Sequence, residues 1–293
     1  MDKLKGLGVA MVTPFKKDLS IDFEALRKLT SYLIDNGVDY LVVMGTTGES
    51  VTLSNEEKHK VLETVRDVNN GRLPVVFGAG SNNTAQLVES LKTIDFSGVD
   101  AILSVAPYYN KPTQEGLYQH FTEVANASPV PVVLYNVPGR TSSNILPSTI
   151  LKLAEHPNIV AVKEASGSFD QFMEIIGNKP DDFLCISGDD GITMPFVAAG
   201  GDGLISVVGN AYPRLTSDMV HAALQDDMIN ARKLHYQILP IIPLLFKEGN
   251  PAGVKEIMQM MDICENHVRL PLVVVSESLK NRLSNEFERL KKR

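Results

Sequence analysis

The sequence predicts an α/β protein, a (β/α)8 barrel of the TIM type followed by a C-terminal helical extension, on three observations. Short β-branched apolar runs alternate eight times with longer segments of helical period. The runs are almost continuously apolar rather than alternating, and the joints between units are short. Continuous runs mark strands buried on both faces, as in a parallel sheet covered by helices. Right-handed crossovers then close eight such units into a barrel. An open doubly wound sheet is the competing arrangement. It is weakened because the first run ends Thr13-Pro14-Phe15, with no glycine-rich dinucleotide loop.

In chain order the predicted strands are Gly8–Pro14, Tyr40–Gly45, Pro74–Gly80, Ala101–Tyr108, Pro131–Val137, Ile159–Glu164, Phe183–Gly188 and Gly203–Val208. Caps mark the helices between them. Asp22 precedes a segment with Leu26, Leu29 and Leu33 on one face and Arg27 and Lys28 on another. Ser54 with Glu57, and Ser168 with Gln171, have capping-box spacing. The joints Gly37-Val38-Asp39, Gly98-Val99-Asp100 and Gly201-Asp202-Gly203 each carry a glycine that can take the left-handed conformation ending a helix. Residues 1–225 are assigned to the barrel. Residues 226–293 form the extension, with helices expected over 228–247, 252–266 and 275–292, punctuated by Pro240, Pro243, Gly249, Pro251 and Pro271.

A chain of 293 residues, 44% hydrophobic and 22% charged, can bury a large core as one barrel unit. Net charge is −7 and no basic stripe is present, so nucleic acid is not an expected partner. Pro14 interrupts the N-terminal apolar stretch and Lys16-Lys17-Asp18 follow, which fits neither a secretory segment nor a membrane span. Cys185 and Cys264 read as reduced thiols, which suits a cytoplasmic enzyme.

In a barrel the C-terminal strand ends share one mouth, so candidate chemistry is sought there. The second strand ends Gly45-Thr46-Thr47-Gly48-Glu49-Ser50, where hydroxyls and backbone N–H groups can converge on a carboxylate. Taken alone, the motif fits a plain hydroxyl-bearing turn equally well. Lys163 follows four apolar residues at the end of the sixth strand. Desolvation disfavours an ammonium, and an amine must be neutral to act as a nucleophile. A lysine that snorkels, or pairs with Glu164, is the plainer alternative. Tyr135 ends the fifth strand and can shuttle protons near Lys163. Arg140, on the Pro138-Gly139 turn, can clamp a carboxylate bidentately. The fourth strand ends Tyr108-Tyr109-Asn110; singly, each of these tyrosines reads as packing. Ser187-Gly188-Asp189-Asp190 reads as a helix cap rather than a metal site, and all six histidines fall on or beside helices.

Taken together, Gly45-Thr46-Thr47-Gly48-Glu49, Tyr108-Tyr109-Asn110-Lys111-Pro112, Tyr135-Asn136-Val137-Pro138-Gly139-Arg140-Thr141 and Val162-Lys163-Glu164-Ala165-Ser166-Gly167 are more specific than any one of them. In this order and spacing the set strongly resembles the dihydrodipicolinate synthase branch of the pyruvate-dependent lyases, the family that also holds N-acetylneuraminate lyase. The resemblance covers essentially the whole chain. It implies that Lys163 forms an imine with pyruvate and that Tyr135, Thr46 and Tyr109 relay protons. It further implies that Thr47 holds the pyruvate carboxylate, Arg140 receives that of aspartate 4-semialdehyde, and Gly188 and Ile205 line the pocket through their backbones. Tyr109 would reach a neighbouring subunit's site, giving a homotetramer built as a dimer of dimers. The implied chemistry needs no metal or organic cofactor. Its product would enter the diaminopimelate route to lysine. A sialic-acid or 2-oxo-3-deoxy-sugar aldolase using the same lysine is the rival within the family.

Overall fold

In the computed structural model, which describes residues 2–292, eight parallel strands close a barrel in sequence order. They are β1 (Gly6–Ala10), β2 (Tyr40–Val43), β3 (Val75–Gly78), β4 (Ala101–Val105), β5 (Val132–Asn136), β6 (Ile159–Glu164), β7 (Leu184–Ser187) and β8 (Gly203–Ser206). The helices between them are α1 (Phe23–Asp35), α2 (Asn55–Asn69), α3 (Thr84–Leu91), α4 (Gln114–Ala127), α5 (Pro138–Thr141), α6 (Pro147–Ala154), α7 (Phe169–Asn178) and α8 (Thr193–Ala198). After β8 come α9 (Pro213–Leu224), α10 (Met228–Ile238), α11 (Ile242–Phe246), α12 (Ala252–Met260) and α13 (Glu277–Lys291). None of these described helices is long and apolar enough to cross a membrane.

The continuous apolar runs have a simple cause: both strand faces are buried. Leu7, Val9, Leu41 and Val43 pack outward under the helices, while Ala10, Tyr40, Val42 and Ile205 fill the barrel interior. Gly8 makes room inside, since a Cβ there would lie 2.1 Å from the fully buried Tyr40 ring.

Several predicted boundaries shift. The first strand begins two residues earlier than expected and ends at Ala10, because Val12 N–H turns to Asn210 Oδ1 (3.1 Å) and Pro14 has no donor for a ladder. Segment 228–247 is two helices: Pro240 lacks the N–H that would continue α10, and Leu239–Ile241 forms a turn before α11. Segment 252–266 is helical only to Met260, where Asp262 takes φ +56° and Ile263 N–H returns to the Met258 carbonyl (2.9 Å). The Ser54–Glu57 box forms in both directions. Ser168 caps α7, but the Gln171 side chain turns instead to Glu164 (3.1 Å), so that box is half-made.

The three glycine-bearing joints share one device at the N-terminal face. Asp39, Asp100 and Asp202 each accept the N–H of Leu7, Val75 and Cys185 on their carboxylates (2.7, 2.8 and 2.8 Å). Each then donates its own backbone N–H to the carbonyl of that same residue (2.8, 2.7 and 2.8 Å). A cation completes each unit: His221 on Asp39 (2.8 Å), Lys3 on Asp100, and Lys179 on Asp202 (3.6 Å). Adjacent strands are thereby stapled where the ladder begins.

The His221 unit carries a pH signature. Its hydrogen bond to Asp39 holds the imidazolium above the ordinary histidine range, against partial desolvation. Stability from this pair is complete below about pH 6.5, the ordinary value, and is lost as pH rises through the raised folded value. Because the His221 side chain is 40% exposed, its worth is under about 1 kcal/mol. His221→Gln should therefore flatten the denaturant midpoint between about pH 6 and pH 8. A variant with the full wild-type slope would move the pH dependence elsewhere.

Candidate active site

The strand ends open into a cavity of about 540 Å³. Thr46, Thr47, Tyr135, Arg140, Lys163 and Gly188 all line it, although they come from different strand–helix units. Lys163 is 5% exposed, and its Nζ lies 4.4 Å from the centroid of the Tyr135 ring. The register explains the pairing: Tyr135 of β5 and Lys163 of β6 are Cα partners, so both side chains leave the sheet on the same face.

That register depends on an irregularity. Val132 pairs with Ile159, yet Val133 pairs with Ala161, so β6 carries one extra residue. Ile159 faces the helices, Val160 and Ala161 both face the interior, Val162 faces out, and Lys163 faces in. Strict alternation from Ile159 would have turned Lys163 out among the helices.

Lys163 has no ion-pair partner among the described residues. Glu164 faces away and is satisfied by Asn136 Nδ2 (2.9 Å), Gln171 Nε2 (3.1 Å) and the Ser166 N–H (2.5 Å). Gly188 clears space for the lysine stem: a Cβ there would meet Lys163 Cε at 2.9 Å and Ala165 Cβ at 2.7 Å.

Thr46 and Thr47 sit in a single 3-10 turn, Thr46–Gly48, that closes into Glu49 at φ +54°. Several bonds fix this turn. Thr13 Oγ1 donates to the Gly48 carbonyl (2.7 Å), and Asn250 Nδ2 donates to Thr47 Oγ1 (2.9 Å). Glu49 is buried against Lys255, with Nζ at 2.5 Å. Burial pulls the Lys255 pKa down, and the Glu49 carboxylate opposes that shift.

Arg140, on α5, is exposed toward the mouth and is without an ion-pair partner among the described residues. Two predicted residues do not reach the cavity wall. Tyr109 is 88% exposed at φ +73°, on a loop tied by Asn110 Nδ2 to the Asn82 carbonyl (2.9 Å). Ile205 is 1% exposed in the barrel interior, and Val207 is the residue that lines the mouth after β8.

Asp189 caps the turn that follows β7 and accepts the Gly191 N–H (2.8 Å). Its neighbour Asp190 is buried and accepts from the Ser206 hydroxyl and the Val207 N–H (3.0 Å); burial pushes its carboxyl up to about 6. Among the described residues, no three His, Cys, Asp or Glu side chains gather as a metal site would require. His120, on α4, is held down to about 4 by burial.

Sequence reasoning missed the contribution of the C-terminal segment. Leu239, Ile242, Pro243 and Phe246 form an apolar wall across the mouth, and Asn250 completes the Thr47 side. None stands at a strand end, so a search of strand ends passes over them. The only sequence signal was the Pro and Gly punctuation around Gly249-Asn250-Pro251.

The family model of the dihydrodipicolinate synthetase family matches residues 3–290. A protein of Flavobacterium psychrophilum named 4-hydroxy-tetrahydrodipicolinate synthase is 56% identical over 293 residues, spanning 100% of both chains. One of the same name from Parabacteroides distasonis is 55% identical over 271 residues, covering 92% of this chain and 91% of that one. Among solved structures, dihydrodipicolinate synthase from Aquifex aeolicus superposes with a TM-score of 0.95 at 41% identity, covering 98% of each chain.

The Gly188 contact yields a direct test. In Gly188→Ala the added methyl must displace the lysine stem, so borohydride trapping of a small 2-oxo acid on Lys163 should slow by about 100-fold, equivalent to about 2.7 kcal/mol. The barrel should remain folded, because Gly188 does not use a left-handed conformation. Wild-type trapping in the variant would show that Lys163 does not need this space.

Proposed function

The chain belongs to the dihydrodipicolinate synthetase family, and on that premise we propose that it condenses pyruvate with L-aspartate 4-semialdehyde as a Schiff-base lyase. The product is 4-hydroxy-tetrahydrodipicolinate, on the diaminopimelate route to lysine. One observation carries the reading above the rest: Lys163 is a buried amine at the barrel mouth, beside Tyr135 and free of any carboxylate partner among the described residues.

The residues divide the work. The Lys163 amine adds to the pyruvate carbonyl, and Tyr135 and Thr46 carry protons as the carbinolamine loses water to give a protonated imine. That cation is an electron sink. The methyl group loses a proton, the resulting enamine carbon attacks the aldehyde, and the substrate's own amine then displaces Lys163 in closing the ring. The electron sink is the imine itself, so the scheme calls for no metal or organic cofactor. Thr47 and its backbone hold the pyruvate carboxylate, with Gly188 and the backbone near Ile205 beneath it. Arg140 takes the carboxylate of the second substrate.

The rival sugar aldolase needs polar groups aimed at substrate hydroxyls. Here the wall contributed by the C-terminal segment is Leu239, Ile242 and Phe246. An apolar wall leaves a polyol unpaired.

Tyr109 is the third member of the relay, given by one subunit to the site of the next. Its exposure supports this, and so does that of Val51, Leu270 and Ile229 (83%, 74% and 75%), apolar surface that a partner would cover. We assign a homotetramer built as a dimer of dimers. Two buried free thiols, Cys185 and Cys264, suit a reducing cytoplasmic setting.

Borohydride reduction with pyruvate should give one adduct, mapped by mass to Lys163; an adduct on another lysine, or none, defeats the assignment. Arg140→Ala should still trap pyruvate but lose about 2–4 kcal/mol of transition-state binding, roughly 30- to 1,000-fold in kcat/KM for the semialdehyde. Failure of that variant to trap pyruvate would place Arg140 on the wrong substrate. Lys163→Ala and Tyr109→Phe subunits, mixed and refolded, should recover activity, because one site in each hybrid dimer regains both groups. Verified hybrids that stay inactive would rule out the shared site.

A further inference from the structure

Glu49 and Lys255 form the most deeply buried ion pair among the described residues, with side chains 2% and 0% exposed. The carboxylate is used on both oxygens: Oε1 takes Lys255 Nζ (2.5 Å) and Oε2 takes the Arg269 N–H (2.9 Å). Lys255 Nζ also donates to the His267 carbonyl (2.8 Å) and lies 4.3 Å from the centroid of the Phe15 ring. The Arg269 guanidinium caps the same ring and binds Glu57, Thr52 and Leu19. Glu49 ends the turn that carries Thr46 and Thr47, and it does so in a left-handed conformation that residues other than glycine adopt uncommonly.

Stability does not explain such a pair. Two charges out of water cost several times a surface pair, and apolar replacements of equal volume are often as stable. The position of its partner is more telling. Asn250 and Lys255 lie five residues apart at the start of α12, and they grip two points of one turn, Thr47 through its hydroxyl and Glu49 through its carboxylate. Asn250 Oδ1 is buried without a partner.

We propose that Lys255 is a positioning residue for pyruvate capture, acting through Glu49 to hold the Thr46–Thr47 turn at the spacing from Lys163 that a 2-oxo acid requires. The proposal rests on the assignment of Thr47 to the pyruvate carboxylate. Lys255 itself touches no substrate. Its segment belongs to the extension, so the extension sets the affinity of a site whose nucleophile lies in the barrel.

The test is borohydride trapping across a pyruvate titration, with no aldehyde present. Glu49→Gln/Lys255→Met removes both charges and keeps volume, so the barrel should fold. The pyruvate concentration for half-trapping should rise by about tenfold or more, while saturating pyruvate still modifies Lys163 completely and KM for the semialdehyde moves by less than about threefold. A purely structural role would lower the melting temperature and leave half-trapping unchanged. Glu49→Gln alone, which changes no volume and keeps an acceptor for the Arg269 N–H, should raise half-trapping by about three- to tenfold, and it stands in if the double variant does not fold. Wild-type half-trapping in either folded variant overturns the proposal. Wild-type protein that forms no adduct at Lys163 would overturn the functional reading instead.

Discussion

The site depends on one extra residue in β6. Val160 and Ala161 both face the barrel interior, and this doubling brings Lys163 in beside Tyr135 and sends Glu164 out. A one-residue slip in a sheet exchanges the two faces of a strand. Here a slip would bury an amine among helices and present a carboxylate to the cavity. It would also strip Glu164 of Asn136, Gln171 and the Ser166 N–H, which meet it only in this register. The cavity face and the network behind it therefore enforce the same alignment. Gly188, just past the end of β7, completes the constraint, since its missing Cβ leaves room for the lysine stem.

The two ends of the barrel treat charge in opposite ways. At the N-terminal face, Asp39, Asp100 and Asp202 each have a backbone donor and a cation, so the charge there is spent on holding strands together. At the C-terminal face, Lys163 and Arg140 have no carboxylate partner among the described residues, and Asn250 Oδ1 has no donor. Buried polar groups without partners are costly. In the proposed reaction the substrate carboxylates would supply the counter-charge that Lys163 and Arg140 lack.

Much of this was legible in the sequence because barrels place chemistry at strand ends. Eight apolar runs gave eight strands, and reading their last residues found Thr46, Thr47, Tyr135 and Lys163, with Arg140 on the turn after the fifth strand, whereas Gly188 came only from the resemblance. The bulge was not legible. When both faces of a strand are apolar, Ile159-Val160-Ala161-Val162 carries no alternation from which to tell inside from outside. Tyr109 read singly as packing, yet it is exposed and outside the cavity wall, and only the resemblance assigned it a role. The wall from Leu239 to Phe246 escaped for a different reason: those residues read as ordinary helix packing, and only the folded chain brings α11 across the mouth. The Glu49–Lys255 pair joins positions 206 residues apart, a contact that no local pattern records.

To capture two anions, as proposed, an acidic chain must overcome its own charge. The net charge of −7 belongs mostly to surface groups, whose field is screened over about 8 Å at physiological ionic strength. Inside the cavity the balance reverses. Lys163 and Arg140 face Asp189 as the sole lining carboxylate among the described residues. The apolar wall limits water, and charges interact more strongly where water is scarce. In the proposed reaction Lys163 becomes a protonated imine, a cation beside the carboxylate assigned to Thr47. Arg140 stays positive throughout. On that scheme the imine cation and Arg140 together form the positive field that would receive the second anion.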